Sequence, residues 1–258
     1  MSAMQAPQSV SLVIPMFNEE ENIEHAVDCA VVALEPLGDY EILIVDDAST
    51  DRSAEIVRRL SAENPRVRMI QHEVNRKLGA SLKTGYAAAT KELVVYMDAD
   101  LPFDPREIVR ALRVLHVTRA DLVAGYRLDR TAEGLKRTLY SYLYNTLIGL
   151  LFGWPHRDIN FSFKLMRREV LQAVELKAEG SLIDAELIVK AKNLGFVIQQ
   201  LGLDYFPRTK GQSTLSSPAV ILKIFRELIT LYPEMRHPRR RQASAAPKAA
   251  PGTPAAIL

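Results

Sequence analysis

Between residues 10 and 126, short runs of β-branched and aliphatic residues take turns with stretches of helical periodicity, and few architectures accept that rhythm. The runs are VSLVIP (10–15), YEILIVDD (40–47), VRMIQHE (67–73), ELVVYMDAD (92–100) and ADLVAGYR (120–127); EENIEHAVDCAVVAL (20–34) and SAEIVRRLSAEN (53–64) are two of the segments between them. Strands that are apolar almost throughout are buried on both faces. The expected fold is therefore α/β, with a mostly parallel central sheet flanked by helices in a single Rossmann-like domain over residues 9–235.

The bulk numbers narrow the class. A chain of 258 residues, 48% hydrophobic, can bury one substantial core. Its 33 basic and 31 acidic side chains are too evenly balanced to point to nucleic acid. The single cysteine, Cys29, excludes an internal disulfide framework, fits a reducing cytoplasm and reads as a core residue. MSAMQAPQSV has neither the basic start nor the apolar run of a secretory signal. No stretch reaches the roughly 18–20 unbroken apolar residues of a membrane span. The nearest, LYSYLYNTLIGLLFGW (139–154), is interrupted by Ser141, Asn145 and Thr146. Beyond it come DINFSFKLMRREVL, a helix around 184–194, the strand-like FVIQQLGLDYF, a basic loop PRTKGQS and a last amphipathic helix at about 218–232. Residues 236–258 are basic, rich in Pro and Ala and nearly without apolar bulk, so they read as a disordered tail.

Open parallel sheets bind ligands beyond the carboxyl ends of their strands. Those ends carry Pro15, Asn18 and Glu19, then Asp46, Asp47, Ser49 and Asp51, then Asp98 and Asp100. Residues i and i+2 of a strand share a face, so Asp98 and Asp100 reach toward one point and repel unless a cation or a proton lies between them. A hard cation with a diphosphate on its remaining positions answers that need, whereas an ordinary strand-end turn, with Pro102 and Pro105 following, would also use Asp. Asp51 or Ser53 suits the N-cap of the 53–64 helix, and Asn18 with Glu21 suits a capping pair. The absence of G-x-G-x-x-G, G-x-x-x-x-G-K-[ST] and G-x-S-x-G removes the main support for a dinucleotide oxidoreductase, a P-loop phosphotransferase and a nucleophile-elbow hydrolase.

The series IPMFNEEENI, ILIVDDASTDRS, NRKLGASLKTGYAAAT, VVYMDADLPFDP, GYR, SLIDAELIVKAKNLG and PRTKGQS resembles the inverting family-2 glycosyltransferases of the GT-A fold over roughly residues 9–215. Within them it is most similar to the dolichyl- and polyprenyl-phosphate hexosyltransferases. The resemblance implies catalytic roles for Asp100, Arg127 and Arg208, with Asp98 and Asp100 holding Mg²⁺ or Mn²⁺. It implies donor contacts from Pro15, Asn18, Glu19, Asp47, Asp98, Ala99 and Lys210, and acceptor-phosphate contacts from Arg137, Lys164 and Ser213. Departures occur at DINFSFK, where relatives often carry D-x-x-S-G-F, at Pro102 after the D-x-D leucine, and at Thr214, a lysine in some synthases.

The expected reaction moves a hexose from a GDP- or UDP-sugar to a polyprenyl phosphate. Two other readings stand beside it. One is a soluble enzyme acting on a hydroxyl acceptor, for which Asp158, Asp184 or Glu186 would be the base; the other is a non-catalytic nucleotide-sugar-binding protein. The expected location is cytoplasmic, peripheral on the cytoplasmic face of a membrane, with a separate membrane subunit as a further partner. Docking would use Leu143, Leu147, Leu150 and Leu151, with Tyr140, Tyr144, Phe152 and Trp154 as interface anchors and RHPRRR as the basic contribution. The competing reading of the same segment is a core helix.

Overall fold

The computed structural model describes residues 9–130, 135–153, 157–207 and 218–241. Within them seven strands form one sheet: β1 (Val10–Met16), β2 (Tyr40–Asp46), β3 (Val67–Gln71), β4 (Leu93–Tyr96), β5 (Leu122–Arg127), β6 (Lys164–Arg167) and β7 (Ile198–Leu203). Their order is β3-β2-β1-β4-β6-β5-β7. β1 is parallel to β2 and β4, β2 to β3, and β5 to β7; β6 alone runs antiparallel, wedged between β4 and β5.

Alternation of side chains divides each strand between two cores. Val10, Leu12, Ile14 and Met16 of β1 face one layer, with α1 (Ile23–Leu34), α2 (Ser53–Glu63) and α4 (Glu107–Thr118). Val13 of β1 and Val94 and Tyr96 of β4 face the other. That second layer holds α3 (Leu78–Ala88), α5 (Leu135–Phe152), α6 (Arg168–Ala173), α7 (Ile183–Asn193) and α8 (Pro218–Arg236). β1, β2 and β4 are buried along nearly their whole length, which is why they read as continuous apolar runs.

Four local expectations change. β6 is invisible to hydrophobic periodicity because it spans four residues and opens on Lys164. α1 starts at Ile23, so Asn18 does not cap it; Asn18 has φ 55° and its Oδ1 accepts the Thr50 amide at 2.8 Å. Cys29 is only half-buried. The final helix runs on to Arg236, and the basic residues after it return to the body: Arg241 N donates to Ala173 O at 2.9 Å and the Arg240 guanidinium lies 5.7 Å from the Phe196 ring. Residues 242–258 lie outside the described residues.

α3 packs very closely on β1. A Cβ at Gly85 would stand 2.3 Å from Val13 Cγ1, so only glycine fits at this crossing. Gly85→Ala gains about 1 kcal/mol of helix propensity but overpacks the core by roughly 1–3 kcal/mol. We expect its melting temperature to fall by a few degrees; a rise in a calorimetric scan would mean that α3 can shift without penalty.

Near the other edge of the sheet, buried Glu41 ties several segments together. Its carboxylate accepts from Ser11 Oγ at 2.6 Å, Thr90 N at 2.7 Å and Arg68 Nη1 at 2.9 Å. Burial pushes this carboxyl up, but the bonds from Ser11 and Thr90 and the Arg68 charge outweigh it, so its pKa lies below the usual value. A depressed folded pKa stabilises the fold above the unfolded value of about 4.3, and that contribution is lost as pH falls through the folded value. Urea midpoints should therefore show wild type losing stability faster than Glu41→Gln below about pH 4.3. Parallel acid limbs for the two proteins would contradict the assignment.

Candidate active site

The carboxyl ends of β1, β2, β3 and β4 each run into a loop containing one non-glycine residue at positive φ: Asn18 (55°), Ala48 (61°), Lys77 (74°) and Leu101 (52°). Such residues cost of order 1–3 kcal/mol each and persist where surroundings over-determine them. Here the surroundings are a lattice of side-chain ties. Asn18 N donates to Ser49 Oγ at 3.0 Å, Glu19 N to Ser53 Oγ at 2.8 Å and Glu20 N to Asp51 Oδ2 at 3.1 Å, lacing the first loop to the second. Asp51 Oδ1 accepts the Ser53 amide at 2.9 Å and so satisfies the start of α2 from just outside the helix.

Asp46 and Asp47 are both buried and both engaged. Asp46 accepts from Ser49 N at 3.0 Å and Gln71 Nε2 at 2.8 Å. Asp47 accepts from His72 Nδ1 at 2.7 Å and from the Arg76 and Lys77 amides, each at 2.8 Å; His72 Nε2 in turn meets Thr84 Oγ1 at 2.9 Å. Asp47 thus holds the loop after β3, with Lys77 in its glycine-like conformation (φ 74°, ψ 171°). Pro15 is half-buried within β1 opposite Val45.

At the end of β4, Asp98 Oδ1 accepts the Tyr96 hydroxyl at 2.8 Å, and the Ser162 hydroxyl beside the same carboxylate also lowers its pKa. Burial first and the neighbouring Asp100 charge second push Asp98 up to about 7. Ala99 turns into the core between the two acids. Like charges crowded in a low-dielectric site fit a divalent cation, which stabilises both ionised forms at once. No third His, Cys, Asp or Glu joins them in a metal-binding cluster among the described residues, so diphosphate oxygens and water would complete the shell, as they commonly do for Mg²⁺. A cavity of about 730 Å³ opens beside Asp100, lined also by His25, Cys29, Phe103, Asp104 and Phe206.

On the far side of β4 lies a second charged group. Arg127 donates through Nε and Nη2 to Asp158 at 2.7 and 2.8 Å, and Arg130 Nη2 approaches the same carboxylate at 2.5 Å. Asp158 is 1% exposed and the Arg127 side chain 7%, so Arg127 faces this carboxylate and the rings of Phe161 and Tyr205 rather than open solvent. Burial opposes ionisation of Asp158, but the two guanidiniums keep its pKa below the usual value.

Lys164 does not reach an acceptor. It is fully buried, paired with Asp184 at 2.6 Å, and its position in β6 turns it inward where an acceptor-facing residue would need solvent. Arg137 lies in α5 with its side chain outside the described residues, and Arg208, Lys210 and Ser213 also lie outside them. Sequence reasoning missed Tyr96, Ser162 and Arg130. Strand parity could have found the first, since Tyr96 and Asp98 are two apart.

The comparisons with known proteins agree with this architecture. The model of the glycosyl transferase family 2 matches residues 11–175. The glycosyltransferase AglD of Haloferax volcanii is 31% identical over 215 residues, 80% of this chain and 34% of that protein. The dolichol-phosphate mannosyltransferase of Pyrococcus furiosus is 30% identical over 217 residues, covering 82% and 60%. The undecaprenyl-phosphate 4-deoxy-4-formamido-L-arabinose transferase of Edwardsiella ictaluri is 33% identical over 177 residues, covering 67% and 54%. The chain thus spans between about a third and three fifths of the length of these relatives. Among solved structures, glucosyl-3-phosphoglycerate synthase from Mycobacterium tuberculosis, in complex with Mn²⁺, UDP and phosphoglyceric acid, superposes with a TM-score of 0.64 at 19% identity, covering 87% of this chain and 78% of that one. By its family match the chain belongs to glycosyl transferase family 2, and its fold is GT-A.

Proposed function

We propose that this enzyme transfers a hexose from a nucleotide-diphosphate sugar to a polyprenyl phosphate, with inversion at the anomeric carbon. The observation that carries the reading is the state of the three acids that could serve as a general base. Asp158 is held by two arginines and Asp184 by Lys164. Glu186 accepts the Lys177 and Ala178 amides and pairs with Lys190 at 2.6 Å. A hydroxyl acceptor needs a base, whereas a phosphate oxygen is already anionic near neutral pH. The names of the Pyrococcus and Edwardsiella relatives carry the same acceptor class.

In this reading Asp98 and Asp100 hold Mg²⁺ or Mn²⁺, a choice supported by the Mn²⁺ and UDP in the structural relative. The ion when bound supplies charge neutralisation to the departing diphosphate. Tyr96 and Ser162 orient Asp98, and the laced loops hold the donor's nucleoside between them. Arg208 and Lys210 of the basic loop are assigned to the leaving group, and Arg137 and Ser213 to the acceptor phosphate, on the family resemblance alone. The phosphate oxygen attacks the anomeric carbon as the bond to the nucleoside diphosphate breaks, so the site contributes alignment and electrostatics.

The acceptor's lipid requires a surface. Among the described residues no helix is long and apolar enough to cross a membrane. α5 instead divides its apolar residues between two faces: Tyr144, Leu147, Leu151 and Phe152 pack on the core, while Leu139, Tyr142, Leu143 and Leu150 are exposed. The expected lipid-facing role of Leu147 and Leu151 is thereby corrected, and the core-helix reading holds for one face only. The exposed stripe fits a peripheral docking face on the cytoplasmic side of a membrane. A separate membrane subunit is compatible with the same face.

Two outcomes test this function. Asp100→Ala should lower turnover on the order of a hundredfold or more with an unchanged melting curve, because a rim carboxylate carries little packing. Full activity in EDTA across a panel of GDP- and UDP-sugars would remove the metal from the reading. Leu143→Asp/Leu150→Asp should abolish co-sedimentation with phosphatidylglycerol vesicles in high salt, where basic attraction is screened and apolar insertion is not. These positions are 53% and 80% exposed, so the fold should survive. Undiminished vesicle binding, or transfer to a soluble hydroxyl acceptor in preference to a polyprenyl phosphate, would favour the other reading of the acceptor.

A further inference from the structure

A lysine fully removed from water in the middle of a sheet is costly unless every charge and proton is answered. Lys164 meets that condition. Its ammonium pairs with Asp184 at 2.6 Å, donates to Ile159 O at 2.9 Å and to Phe161 O at 2.5 Å, and lies 5.6 Å from the centre of the Tyr96 ring. Packing alone does not require this pair, because buried ion pairs can often be replaced by apolar side chains of similar volume without loss of stability. What an apolar side chain could not do is hold the two carbonyls.

Those carbonyls belong to the turn at 158–163, which carries two side chains to the active-site rim. In the antiparallel ladder Tyr96 stands opposite Lys164. Two residues past Tyr96, just beyond the end of β4, is Asp98, and two residues before Lys164, just ahead of β6, is Ser162, so the chain that continues the ladder past Lys164 brings the Ser162 hydroxyl beside the Asp98 carboxylate. The same turn begins at Asp158, which fixes Arg127 and Arg130. With Tyr96 on one side and Ser162 on the other, the Asp98 carboxylate has a set orientation before any donor arrives.

We infer that Lys164, neutralised by Asp184, is a positioning residue for the donor site: by pinning Ile159 O and Phe161 O it holds Ser162 on Asp98 and so presents the carboxylate to the metal–diphosphate group. The inference rests on the proposed role of Asp98 and Asp100 and adds to it the device that keeps one of them in place.

The test measures binding of GDP and of UDP in the presence of Mn²⁺ by calorimetry, without acceptor, alongside thermal unfolding of the unliganded protein. Lys164→Met/Asp184→Leu removes both charges together but leaves the Ile159 and Phe161 carbonyls without their donor, so it should melt a few degrees below wild type while still folding, and bind the preferred nucleotide about tenfold more weakly. Its KM for donor should rise and its KM for acceptor stay unchanged. Ser162→Ala should reproduce part of the affinity loss, and adding it to the double variant should weaken binding little further, since both act on one route. A folded double variant with wild-type Mn²⁺–nucleotide affinity would overturn the inference and leave Lys164 a structural lysine. Wild-type affinity in Ser162→Ala would overturn it too, even if the double variant did not fold. Asp100→Ala separates the two levels: if it binds Mn²⁺–nucleotide normally, the metal reading itself fails, whereas weak binding there with normal binding in the double variant sinks only the role of Lys164.

Discussion

The antiparallel ladder that β6 makes with β4 and β5 is the constraint on which the rest of the site depends. Without β6 the sheet would be two parallel blocks, β3-β2-β1-β4 and β5-β7, with no ladder hydrogen bonds joining β4 to β5 and so fixing Asp98 relative to Arg127. The inserted strand bonds to both blocks in the interior of the sheet, where water does not compete for its amides. Its register then does chemical work. Tyr96 faces Lys164, Ala124 faces Lys164 from the other side, and the turn leading into the strand delivers Asp158 to the arginines and Ser162 to Asp98.

Much of this architecture was legible because parallel strands buried on both faces leave an unambiguous apolar signature, as in VSLVIP and EILIV, and because their ends are marked by acids that a core strand would not otherwise tolerate. Strand parity led to the pairing of Asp98 with Asp100, yet β4 stops at Tyr96 and both acids stand in the irregular segment and turn that follow it, close enough for the Asp100 charge to act on Asp98. What could not be read was anything decided by a partner distant in sequence. Asn18 carries the signature of a helix cap, yet its oxygen goes to Thr50, 32 residues away. Lys164 has the composition of a phosphate ligand, yet Asp184 and two local carbonyls claim it. Leu147 and Leu143 are equally apolar, and only the docking of α5 against Ile183, Leu187 and the other core residues separates the one that is covered from the one that is not. Charge and hydropathy specify what a side chain needs, and tertiary contacts decide which need is met.

The interior and the rim gather more acids than could be left unneutralised, and the way each is answered orders the site. Asp46 and Asp47 are satisfied by amides and by His72 and Gln71, Asp158 by two guanidiniums, Asp184 by an ammonium, and Glu186 by amides and Lys190. These are internal solutions, and each also immobilises a loop. Asp98 differs, because the groups that lower its pKa are the neutral hydroxyls of Tyr96 and Ser162 and the largest charge acting on it is another carboxylate. A hydroxyl can orient a carboxylate but cannot cancel its charge, so the repulsion between Asp98 and Asp100 is left in the folded protein as a standing preference for an external cation. Four loops that follow β1 to β4 each carry a non-glycine residue at positive φ and show the same division of labour. The scaffold absorbs the strain and the neutralised acids, and the repulsion between Asp98 and Asp100 is what the proposed metal-bound diphosphate would relieve.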